Sequence, residues 1–125
     1  MSIESLNITA KINDTEHYYV LEVRSNLVDG WLVMLTEGVT KPITLSSMEL
    51  PSNCKLVEGA TKGIFDISCP RNKQTVTDVM ILAIQKMKDE GLEIKQIRLV
   101  EHTQDMFDFS KIVEAYNRNE DILFV

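Results

Sequence analysis

The stretch TVTDVMILAIQKMKDEGLEIKQIRLVE, Thr75 to Glu101, decides the fold, because it changes period once and sharply. Val76, Val79, Met80, Ala83, Ile84 and Met87 recur at steps of three and four, the spacing that gathers side chains on one face of a helix. Thr77, Gln85, Lys86, Lys88 and Asp89 fall mainly on the other side. Ile81 and Leu82 widen the apolar stripe, which predicts a helix covered on more than one side. Thr75 with Asp78 three positions on has the form of a capping box and predicts the helix start. Lys86 and Lys88 suit the negative end of the helix dipole, and Gly91-Leu92 has the form of a left-handed stop with its hydrophobic contact. From Glu93 to Glu101 the period falls to two, with Ile97 and Leu99 on one side and Gln96 and Arg98 on the other, which predicts a strand packed on the preceding helix.

Upstream, the pattern is that of strands. Leu6, Ile8, Ala10 and Ile12 alternate with Asn7, Thr9 and Lys11, and Asn13-Asp14-Thr15 supplies turn chemistry. His17 to Arg24 is rich in aromatic and β-branched residues and reads as a second strand, in which Tyr18 and Tyr19 must point to opposite faces. Asp29-Gly30 marks the next turn, Trp31 to Leu35 reads as a third strand, Glu37-Gly38 marks another turn, and Pro42 to Ser46 reads as a fourth strand whose proline favours an edge or a start. A long connection follows, with a short extended piece at Lys55 to Val57, and Gly63 to Ser68 resumes a strand. Downstream of Glu101, Asp108 or Ser110 can cap a short helix over Lys111 to Asn117, and Ile122 to Val125 reads as a last strand. The expected fold is one α+β domain spanning the 125 residues: an antiparallel β-meander of about five strands, then helix, strand, helix, strand, with the main helix on one face of the sheet.

Composition narrows the function classes. Thirteen Lys and Arg are scattered among nineteen acids, for a formal charge of −6, so no basic face is present to grip a phosphate backbone. Direct nucleic-acid binding is therefore not expected. No apolar run approaches the roughly 20 residues that cross a bilayer, and Met1-Ser2-Ile3-Glu4 lacks an export signal, so a soluble cytoplasmic protein is expected. Metal binding needs clustered ligands, and Cys54, Cys69, His17 and His102 form no Cys-x-x-Cys or His-x-His unit. Neither a metal nor a cofactor is expected, and the two cysteines read as structural thiols. There is no Gly-x-Ser-x-Gly and no glycine-rich phosphate loop, because the helix is entered through Pro70-Arg71-Asn72-Lys73-Gln74. Catalytic residues are not assigned.

Two surfaces remain as candidates. Met106, Phe107 and Phe109 cluster beside Asp105 and Asp108, a pattern that serves either to anchor a loop in the core or to present aromatic anchors to another protein with a basic rim. A non-enzymatic protein-interaction module, such as a regulator, inhibitor or assembly subunit, is the first reading. The alternative is a small-molecule binding domain or small enzyme with Glu101 and His102 at a pocket between helix and sheet. The segment Arg98-Leu99-Val100-Glu101-His102-Thr103 and the helix before it resemble the closing helix and strand of the pyruvoyl-tetrahydropterin synthase family, over about a quarter of the chain. That resemblance implies a ligand-binding role at Glu101. The family's zinc-binding His-x-His pair has no counterpart here, where His17 is the only histidine of the N-terminal half.

Overall fold

The computed structural model describes residues 3–26, 30–37, 49–57, 64–101, 105–116 and 122–125. Among these, β1 (Ile3–Ile12), β2 (Thr15–Asn26), β3 (Gly30–Glu37), β4 (Lys55–Val57), β5 (Ile64–Cys69), β6 (Glu93–Glu101) and β7 (Leu123–Phe124) form one sheet, and α1 (Lys73–Asp89) and α2 (Phe109–Tyr116) are the helices. The class is α+β. The strand order is β4-β5-β3-β2-β1-β6-β7, antiparallel except for the parallel β6–β7 pair, so the sheet is mixed.

The meander is real only from β1 to β3. Asn13 and Asp14 both take positive φ, 50° and 65°, and join Ile12 to Thr15 as a two-residue hairpin turn whose twist matches the strands it connects. After β3 the chain departs from the expected order. β5 pairs with β3, and β4 lies outside β5 as the edge strand. The expected strand at Pro42 to Ser46 lies outside the described residues. β6 does not extend the far end of the meander; it inserts beside β1, with Ile8 opposite Ile97 and Leu6 opposite Leu99, which makes the first strand an interior one.

Alternation then sets the layers. Leu6, Ile8 and Ala10 of β1, Tyr19, Leu21 and Val23 of β2, and Ile94 and Ile97 of β6 are buried in one cluster with Val76, Val79, Met80, Ala83, Ile84 and Met87 of α1 and with Ile112 and Tyr116 of α2. Tyr19 is 1% exposed and Tyr18 48%, the split that opposite faces require. α2 supplies the second cover over α1. The Tyr116 hydroxyl donates to the Ile81 carbonyl at 2.6 Å, and the Lys88 ammonium lies 5.4 Å from the Tyr116 ring centre.

The ends of α1 follow their chemistry, with one correction. The helix begins two residues before Thr75, because Asn72 is the N-cap: its side-chain oxygen accepts the Thr75 N–H at 3.0 Å. Asp78 instead accepts a hydrogen bond from Gln74 one turn back. At the other end Gly91 takes φ 93°, its N–H donates to the Lys88 carbonyl, and the Leu92 N–H donates to the Met87 carbonyl, while Leu92 itself is buried. This is the paired-bond stop that the Gly-Leu sequence announces.

The buried stripe yields a stability test. Val79→Ala removes fully buried methyl groups and is expected to cost about 1–3 kcal/mol, while Gln85→Ala, on the exposed face, is expected to change stability by less than about 0.5 kcal/mol. Urea denaturation of the two variants measures both, and equal losses would place the stripe wrongly.

Candidate interaction surface

The segment after β6 was the first candidate, and its side chains divide. Met106 and Phe107 are buried, Phe107 completely, and Phe109 is half-buried with its ring edge-on to Phe124 at 6.2 Å. Met106 and Phe107 are thus core plugs and not exposed anchors. The reason is a set of bonds that no local pattern displays. Glu4, in β1, is fully buried and accepts the backbone N–H groups of Asp105 (3.0 Å) and Met106 (2.5 Å), one on each carboxylate oxygen. Asp105 takes φ 54°, and this left-handed residue turns successive N–H groups towards one anion.

Thr77 completes the anchorage. It was expected on the outer side of α1, yet it is fully buried. Its hydroxyl donates to the Lys73 carbonyl at 2.7 Å and accepts the Asp108 N–H at 2.8 Å. The two aspartates are also engaged. Asp105 is exposed and pairs with Lys73 at 2.6 Å, an interaction that raises the lysine pKa. Asp108 caps α2 by accepting from the Ser110 hydroxyl and the Lys111 N–H, and these bonds hold its carboxyl below the ordinary range. The accessible part of this segment is therefore Asp105 and the outer edge of Phe109.

The alternative site divides differently. Glu101 closes β6 with its backbone opposite Ser5, while its side chain and His102 lie outside the described residues. The layer between α1 and the sheet beneath it is filled by Leu6, Ile8, Leu21, Met80, Ile84 and Ile97, each essentially without solvent exposure. Among the described residues no group of three or more His, Cys, Asp or Glu is placed to hold a metal ion. Nor is any described helix long and apolar enough to cross a membrane.

The surface that sequence reasoning missed lies on the opposite side of the sheet. Asn7, Thr9, Tyr18, Val20, Gln96 and Arg98 line an open groove with a volume of about 230 Å³. The register explains why these residues meet: Asn7 stands opposite both Val20 and Arg98, and Thr9 opposite both Tyr18 and Gln96. Alternation turns all six away from the core. The Tyr18 hydroxyl donates to Glu16 at 2.6 Å, and this carboxylate raises the phenol pKa. Arg24 is bound to Glu22 and Lys95 to Glu93, whereas Arg98 is exposed and makes no ion pair among the described residues. A guanidinium, two amides, a hydroxyl and an aromatic ring thus share one shallow surface. It offers groups suited to recognition by hydrogen bonding and stacking.

No protein-family model matches the chain, and no curated protein and no solved structure shows significant similarity to it. The fold and the side-chain geometry are what bear on function.

Proposed function

We propose that the chain is a non-enzymatic protein-interaction module, a regulator, inhibitor or assembly subunit, that docks its partner on the open face of the sheet around Tyr18 and Arg98. The observation that carries this reading is the contrast between the two faces: the helix side is filled by core side chains, and the other side holds the groove with an exposed tyrosine and an arginine that makes no ion pair among the described residues. Tyrosine and arginine are the residue types on which interface energy concentrates. Arg98 calls for a carboxylate or main-chain carbonyl from the partner, and Asn7 and Gln96 supply amides that can pair with an extended backbone. Glu16, Glu22 and Glu93 lie on the same face, and with the overall charge of −6 they favour a partner with a basic rim.

Tyr18→Ala and Arg98→Glu test the proposal, since both residues are exposed and neither change is expected to unfold the domain. Each is expected to weaken capture of a native-host partner, and binding of that purified partner, by about tenfold or more, while Gln85→Ala on the helix side leaves binding intact. Equal binding by all three variants would sink the assignment. Recovery of a bound small molecule whose retention depends on Glu101 and His102 would favour the alternative reading.

A further inference from the structure

The two cysteines, fifteen positions apart, meet across the edge of the sheet. β4 and β5 pair with Lys55 opposite Ser68, Leu56 opposite Ile67 and Val57 opposite Asp66. Continuing that register by one residue sets Cys54 opposite Cys69. Their sulfur atoms are 3.7 Å apart, with the Cys54 thiol directed at the Cys69 sulfur, and both are free thiols. Residues directly opposed in an antiparallel pair have Cα atoms roughly 4.5–5.5 Å apart, inside the range of about 4.4–6.8 Å that a disulfide spans. Side-chain rotation between residues so opposed can close the remaining gap to a bond of about 2 Å.

We propose that Cys54 and Cys69 are a reversible thiol–disulfide pair, whose oxidation fastens the three-residue edge strand β4 to β5. Its oxidant is a small-molecule disulfide of the glutathione class. The Cys54 thiolate attacks one sulfur of that disulfide, forming a mixed disulfide and releasing one glutathione thiolate. The Cys69 thiolate then attacks the Cys54 sulfur, forms the protein disulfide and displaces the second glutathione thiolate. Two protein thiols lose two electrons and two protons, and the external disulfide is reduced to two thiols. Cys54 is the entry point because it is 7% exposed against 2% for Cys69, and because it follows the exposed turn residues Ser52 and Asn53, outside the paired part of β4.

Burial also sets the pace. Desolvation raises the pKa of both thiols, most strongly for Cys69, whose thiolate would in addition lie against the Cys54 sulfur. Little thiolate is present near neutral pH, so exchange is slow there and accelerates as pH rises. The reduced form is fully compatible with the fold described above, and the oxidised form adds a cross-link across an edge that three residue pairs otherwise hold.

The test uses the intact wild-type chain, folded, incubated with oxidised glutathione at pH 8 and, separately, with dithiothreitol. Expected are simultaneous loss of both titratable thiols, a mass lower by two hydrogens, and a Cys54–Cys69 cross-linked peptide in a non-reducing digest. The melting temperature is expected to rise on the order of 10 °C and to return on reduction. In Cys69→Ser the reaction is expected to stop at a stable glutathione adduct on Cys54. A persistent glutathione adduct on the wild type, a disulfide between two chains, or survival of both thiols under conditions that oxidise the unfolded chain would each overturn the proposal. So would an intrachain disulfide that leaves the melting temperature unchanged or lowers it, because the bond would then not fasten the edge.

Discussion

Phe107→Ala is expected to cost about 3–5 kcal/mol, a large share of the roughly 5–15 kcal/mol that holds a domain of this size together. Phe107 is completely buried in the same cluster as Met80 and Ile84 of α1, and truncation to alanine leaves a cavity there. Phe109, two residues on, is half-buried and meets Phe124 edge-on, so Phe109→Ala is expected to cost only about 1–2 kcal/mol. Chemical denaturation of the two variants measures the contrast. A Phe107→Ala protein as stable as the wild type would mean that the side chain is an accessible anchor after all, and that the anchorage of its segment by Glu4 and Thr77 has been misread.

That pair of phenylalanines also shows how far sequence reasoning reaches. Clustered apolar residues between acids are compatible with a core plug and with a docking anchor, and only the fold separates the two. Period-based features were legible wherever a backbone pattern carries them alone. The stripe of α1, its Gly91 stop, the Asn13-Asp14 turn and the opposed faces of Tyr18 and Tyr19 depend on neighbours a few residues away. Features settled by distant partners were not. The entry of β6 beside β1 joins residues some ninety positions apart, and no local periodicity encodes which strand a later strand will choose. The parallel β6–β7 pair joins strands that α2 separates along the chain, again a tertiary fact.

Polar residues in the core were the second kind of miss. The helical period assigns Thr77 to the wet side and says nothing of Glu4, whereas both lie inside and their hydrogen bonds make that tolerable. The cysteine pair was hidden for a related reason. Cys54 and Cys69 show no ligand or redox spacing, and they become partners through the β4–β5 register alone. The groove was the opposite case. Its residues are the outward halves of strands that the sequence did reveal, but their convergence requires knowing that β2, β1 and β6 are adjacent.

Glu4→Ala is expected to destabilise the domain by about 2–5 kcal/mol. The carboxylate accepts two N–H groups from residues more than one hundred positions away; the bond from Met106 is buried and the bond from Asp105 is partly so. Charge-assisted bonds of this kind are stronger than neutral ones, and removing the acceptor leaves the Met106 N–H buried without its partner. The damage is expected to spread along a defined path: the segment from Asp105 to Asp108 loosens, Phe107 loses part of its seat, and the N-terminus of α2 loses its fixed approach to Thr77. Glu4→Gln separates charge from shape. The amide keeps one oxygen acceptor but turns an NH₂ towards the second N–H, so it is expected to cost less than Glu4→Ala and more than Glu93→Ala, whose side chain is exposed. Urea denaturation ranks the three variants, and amide hydrogen exchange locates the effect, with protection at Asp105 and Met106 lost first in Glu4→Ala. If Glu4→Ala is no more harmful than Glu93→Ala, or if exchange at those two amides does not change, the carboxylate does not tie the first strand to the segment after β6, and the burial of Met106 and Phe107 needs another cause.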